Sequence, residues 1–230
     1  MAEIILALDL PSAAEAMRLL DRLPEARWVK VGSILMTREG PPLVRALVGR
    51  GLRVFLDLKW HDIPNTVADA VAAARDTGVS LATVHALGGE AMMAAAARAA
   101  DGAVALVGVT VLTSHSAGSY AEAVGRPSVE LGGEVTRLAR SAVQAGLQGV
   151  VCSPHEVASV RDVLPDAGLV VVPGIRRSGE ATGDQVRVAG ARDAALAGAT
   201  HLVVGRPVLQ AADPAAALRE LQEEAACVSS

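Results

Sequence analysis

The chain has 230 residues, about half of them hydrophobic and drawn mostly from Ala, Val and Leu, with only Trp28, Trp60, Tyr120 and Phe55 as aromatics. Its formal charge of −4 and lack of a basic cluster argue against a nucleic-acid surface. No apolar run is long enough to span a bilayer, and the start reaches Asp9 too soon, without a basic stretch, to read as a secretion signal. Short β-branched runs at 4–8, 28–31, 53–58, 81–85, 104–111, 149–152, 169–172 and 201–204 predict eight strands. Amphipathic, alanine-rich stretches near 12–22, 40–50, 64–77, 89–100, 130–146, 154–164, 184–198 and 213–225 predict the helices between and after them. Gly51, Gly78, Gly146, Gly168 and Gly198 punctuate the passage from helix to next strand.

Eight strand–helix units without a linker or composition break predict one α/β domain, a closed (β/α)₈ TIM barrel over 1–226, with 227–230 as a disordered tail. An open doubly wound sheet is the structural alternative. Chemistry in such a barrel gathers where strands end. Asp9, Lys30, Asp57, Lys59, Thr113, Pro173 to Arg176, Gly205 and Arg206 all fall there.

Lys30 and Lys59 are the only lysines, and the other basic side chains are arginine. Arginine keeps its proton at every working pH, whereas an ammonium can release one. Each lysine ends a hydrophobic run, a poor place for an idle surface charge. Lys59 lies inside DLKWHDIPNT, residues 57–66, between Asp57 and Asp62. Strand alternation points Phe55, Asp57 and Lys59 to one face, the barrel axis. Lys30 on the adjacent strand completes an array whose charges balance enough to be buried together. A further anion beside Asp57 is repelled, which gives a means of expelling a carboxyl group, with Lys59 ready to protonate the carbanion left behind. Asp62 already lies in the loop, and Pro64 suits the first turn of the helix that follows.

Cys152 and Cys227 are too few for a disulfide framework or a zinc site, which suggests a reducing cytoplasm; Cys152 reads as a small packed residue. His61, His85, His115, His155 and His201 follow no zinc spacing, and His85 reads as a hydrogen-bonded strand-end residue.

The run DLKWHDIPNT closely resembles the signature of the orotidine 5′-phosphate decarboxylase family, and ALDL, VKVG, VTVLTS, VPGIR with Gln185, and VVGRP resemble its other motifs in the same order. The likeness extends from Ile4 to Val208. It implies decarboxylation of orotidine 5′-phosphate to uridine 5′-phosphate in pyrimidine biosynthesis, with no cofactor or metal, by a homodimeric barrel with shared sites. The resemblance makes Lys59 the proton donor to C6 of the pyrimidine and Asp57 the group pressing on the substrate carboxylate. It assigns Lys30 and Asp9 to the ribose, Thr113 to the base, and Asp62 and Thr66, with Ile63 between them, to the neighbouring subunit's site. Pro173, Arg176, Gln185, Gly205 and Arg206 are assigned to substrate, the last four gripping phosphate. Arg177 stands where the family often has proline. The closest rival is the magnesium-dependent sugar-phosphate branch, resembling 3-keto-L-gulonate 6-phosphate decarboxylase or hexulose-phosphate synthase, which carries a metal-binding glutamate near the place of Lys30. A barrel that only binds a phosphate or nucleotide is the non-catalytic alternative; it would not need a lysine between two aspartates.

Overall fold

A computed structural model describes residues 1–177 and 187–226. Eight parallel strands, β1 (Glu3–Ala7), β2 (Trp28–Gly32), β3 (Arg53–Trp60), β4 (Leu81–His85), β5 (Ala105–Val109), β6 (Gly149–Val151), β7 (Leu169–Val172) and β8 (His201–Val204), close in sequence order, with β8 pairing back to β1. The helices among the described residues are α1 (Ala13–Asp21), α2 (Ser33–Gly49), α3 (Pro64–Arg75), α4 (Gly89–Ala100), α5 (Ala117–Ala123), α6 (Leu131–Gln144), α7 (Val157–Arg161), α8 (Ala191–Leu196), α9 (Arg206–Leu209) and α10 (Pro214–Ala226). The expected closed barrel is what forms, and the open sheet is not.

Alternation divides each strand between two cores. Ile5, Ala7, Trp28, Phe55, Leu81, Val107, Val171 and Val203 fill the barrel interior, while Leu6, Val29, Val54, Leu56, Ala82 and Val170 face the helices. Gly149 is imposed by the closeness of β6 to β7: a Cβ there would lie 2.0 Å from the Leu169 carbonyl oxygen. The interior is closed at the N-terminal end by Trp28, whose indole donates to Glu3 (2.6 Å) and meets His201 edge-on. The charged residues that line the cavity lie at the other mouth.

Several elements differ from expectation. The second helix begins at Ser33 rather than near 40, and Gly40 (φ 65°) followed by Pro41 and Pro42 kinks it instead of starting it. The predicted loop after β5 contains α5, started by a capping box between Ser116 and Ser119. The predicted helix 154–164 is a 3₁₀ turn, Pro154–Glu156, leading into the shorter α7. Strand five ends at Val109, and α9 was not foreseen. The first part of the helix expected at 184–198, Gln185, and the tail 227–230 lie outside the described residues.

Candidate active site

β1, β2 and β3 bring four charges into one line. The Lys30 ammonium lies 3.0 Å from Asp9 Oδ1 and 3.7 Å from Asp57 Oδ2, and Lys59 Nζ lies 2.8 Å from Asp57 Oδ1. Asp57 and Lys30 are mostly covered, with side chains 14% and 12% exposed, while Lys59 (38%) reaches toward the opening. Gly32 leaves room for this arrangement: a Cβ there would stand 3.0 Å from Lys30 Nζ. Because negative and positive groups alternate, each ion's desolvation is offset by a neighbour.

Alternation anticipates that Asp57 and Lys59 share a face, but the local path is not regular. The β3–β4 register shifts between Leu56 and Trp60, and Lys59 has φ 53°. A left-handed backbone at a residue bearing a Cβ is uncommon and must be held in place. Thr83 on β4 does so. Its fully buried hydroxyl accepts the Lys59 backbone N–H at 2.8 Å and donates to Asp57 Oδ1 at 3.1 Å. Sequence reading missed Thr83, although two-residue spacing from the interior Leu81 could have flagged it.

A cavity of about 350 Å³ opens above this array. It is lined by Asp9, Lys30, Asp57, Lys59, Thr113, Pro173, Arg176, Gly205 and Arg206, so nine of the anticipated site residues meet in one place. Phe55, Val109, Val151, Val171 and Val203 add an apolar floor. A Cβ on Gly205 would make only ordinary contacts, 3.6 Å to Ala7 Cβ and 3.8 Å to Asp9 Oδ2, so packing does not demand glycine; the missing side chain keeps the cavity open. Arg176 and Arg206 stand on the side formed after β7 and β8, where barrels of this type bind phosphate. Arg177 ion-pairs with Glu220 on α10. Cys152 also reaches the cavity wall, but burial pushes its thiol well above the ordinary range, which suits packing and not nucleophilic attack.

Asp62, Ile63 and Thr66 do not line the cavity. All three are exposed, on the turn between β3 and α3 and on the first turn of α3, and Asp62 accepts the Ile63 N–H at 2.6 Å. Beside them His61 and His85 stack with ring centroids 5.3 Å apart, and His85 Nδ1 accepts the Leu87 N–H as expected of a strand-end histidine. Burial, then His61 and Lys59, lower the His85 pKa to about 4, so the ring is neutral near pH 7. Among the described residues, no group of three or more His, Cys, Asp or Glu side chains could hold a metal ion.

A closed (β/α)₈ barrel with alternating carboxylates and ammoniums on one side of its mouth and arginines on the other defines a barrel enzyme for a phosphorylated, anionic substrate. The profile of the orotidine 5′-phosphate decarboxylase / HUMPS family matches residues 2–221, and the chain belongs to that family. It is 53% identical to the orotidine 5′-phosphate decarboxylase of Alkalilimnicola ehrlichii over 98% of this chain and 97% of that one. Identity to the Halorhodospira halophila protein of the same name is 49%, over 97% and 95%. The fold superposes on the crystal structure of the Lactobacillus acidophilus orotidine 5′-phosphate decarboxylase with a TM-score of 0.87 at 33% identity, covering 98% of this chain and 99% of that one.

Proposed function

We propose that the chain converts orotidine 5′-phosphate to uridine 5′-phosphate and carbon dioxide, with no metal or organic cofactor. The observation that carries this reading is the Lys30–Asp57–Lys59 array in the floor of a cavity whose other side bears Arg176 and Arg206. The pyrimidine carboxylate lies beside Asp57, where like charge is unfavourable: at about 4 Å and an effective dielectric near 20, two anions repel by roughly 4 kcal/mol. Expelling carbon dioxide breaks the bond to C6 and relieves that repulsion. The electron pair remains on C6, where the Lys59 ammonium stabilises it by a similar amount and then delivers its proton. Lys59 regains a proton from water. Grip on the remote phosphate by Arg176, Arg206 and Gln185 holds the base against the charged array, so binding energy is spent on turnover. Asp9 and Lys30 hold the ribose, and Thr113 meets the base.

The magnesium-dependent sugar-phosphate alternative needs an anionic ligand where Lys30 stands, and an ammonium there repels a divalent ion. The names of the curated relatives support the decarboxylase reading as well. The same proposal includes a homodimer with shared sites: Asp62, Ile63 and Thr66 lie exposed outside their own cavity, where a partner's site could take them. Ile34, Ile63 and Leu87, exposed by 54%, 67% and 39%, follow three successive strands around the mouth and offer apolar surface to a second copy. Among the described residues no helix is long and apolar enough to cross a membrane; Cys152 as a buried free thiol agrees with a reducing cytoplasm.

The deciding experiment follows the loss of orotidine 5′-phosphate absorbance on adding the protein. Turnover unaffected by EDTA is expected. Activity abolished by the chelator and restored by magnesium would favour the sugar-phosphate branch, and nucleotide binding without turnover would leave only a binding barrel.

A further inference from the structure

The mouth of the barrel holds one buried ion pair that the proposed chemistry does not use. Arg187, 8% exposed, follows the segment 178–186 and donates through Nη1 to Glu156, itself 7% exposed. Its Nη2 donates to the backbone carbonyls of Val111 (3.3 Å) and Leu112 (3.1 Å), immediately before Thr113. The other oxygen of Glu156 accepts from the backbone N–H (3.1 Å) and the hydroxyl of Ser153, a residue with no exposed surface that follows Cys152 of the cavity wall. The base of the same β7 loop is pinned separately, by the Ile175–Ala189 bridge and the Arg176 N–H to the Ala189 carbonyl at 3.0 Å. One guanidinium thus spans three loops, those after β5, β6 and β7, and does not itself line the cavity.

A buried pair of this kind is a poor source of stability, since well-packed apolar residues serve as well, but its planar fork fixes the relative position of what it joins. We infer that Arg187 is a positioning residue: it ties the phosphate-side loop after β7 to the base-side loop after β5, so that engagement of a substrate phosphate is transmitted to Thr113. Glu156 and Ser153 orient the guanidinium. This rests on the assignment of the two sides of the cavity to phosphate and base.

Arg187→Met, Arg187→Lys and Glu156→Gln test it against the parent, whose own turnover tests the decarboxylase reading. Lysine keeps the charge facing Glu156 but lacks the fork, so a fold tolerant of Arg187→Lys keeps the test alive if Arg187→Met does not fold. The expected result is a fall in kcat/KM for orotidine 5′-phosphate of roughly 5- to 150-fold, the span of ordinary coupling between sites, with the nucleoside orotidine changed by less than about threefold. Equal losses on both substrates, or none on either, would overturn the inference. Amide exchange across residues 110–114, with and without uridine 5′-monophosphate, reads the coupling without turnover. The parent should gain protection there and the variants should not; equal protection would sink the positioning role even if the parent proves to be no decarboxylase.

Discussion

Lys59 is held in a conformation that a residue with a side chain avoids, at a cost on the order of 1 kcal/mol or more, and the return is an ammonium 2.8 Å from Asp57. Arginine at this position keeps the charge but loses the compact, transferable proton, so Lys59→Arg should lower turnover by several orders of magnitude while the melting temperature stays near the parent's. Turnover within tenfold of the parent would remove Lys59 as proton donor. Thr83→Val removes the hydroxyl between the Lys59 N–H and Asp57 and should lower kcat by ten- to a hundredfold, about 1 to 3 kcal/mol; unchanged kcat would mean the backbone holds itself. His85 supplies a pH test. Its folded pKa near 4 lies below the ordinary 6.5, so between those values the unfolded chain binds more protons and stability rises with pH. His85→Asn should therefore flatten the melting-temperature profile from pH 4 to 6.5, and an unchanged slope would assign that limb to other groups. Asp57 and Lys59 were legible because alternation and an unusual residue choice coincide there. Thr83 was legible only as an interior position, two residues from Leu81; its bond to Lys59 carries no signal until β4 is known to lie beside β3. Arg187 was hidden for the same reason, since its partners Val111, Leu112 and Glu156 stand on loops that no spacing brings together.

Strands were legible because each must be apolar on both faces, one toward the barrel interior and one toward the helices, and helices such as α4 because their period is clean. Of the elements that went unseen, α5 is fixed by side-chain partners. α5 has only seven residues, and Glu134 of α6 anchors it: the carboxylate, 5% exposed, accepts from the Tyr120 hydroxyl (3.2 Å) and ion-pairs with Arg126 and Arg137. The hydrogen bond from Arg137 leads in holding its pKa near 2, against an opposing effect of burial. A carboxylate lowered in the fold stabilises above its ordinary pKa of 4.5, and that contribution is lost as pH falls through about 2. Glu134→Gln should cost about 1 to 3 kcal/mol at pH 7, with the gap between variant and parent in urea midpoints narrowing as pH falls below 4.5. A gap constant down to pH 2 would mean that shape, and not charge, fastens α5 to α6.

At the scale of the whole molecule, one cavity gathers the residues proposed for chemistry, ribose, base and phosphate, yet Asp62 and Thr66 of the same signature remain on the rim. Sequence alone cannot locate a residue that acts across a two-fold axis, because no spacing within one chain records the partner. If Asp62 completes a neighbour's site, Lys59→Ala and Asp62→Ala each give a homodimer in which both sites carry one defect. A mixed dimer places both defects in one site and none in the other. Random exchange makes about half the dimers mixed, each with one intact site of two, so mixing equal amounts of the two inactive variants should restore roughly a quarter of parental activity. Exchange is verified by tagging one variant and recovering the other with it. Recovered mixed dimers no more active than the separate variants would place Lys59 and Asp62 in the same site of one chain, and the exposed Ile34, Ile63 and Leu87 would then need another reason to face solvent.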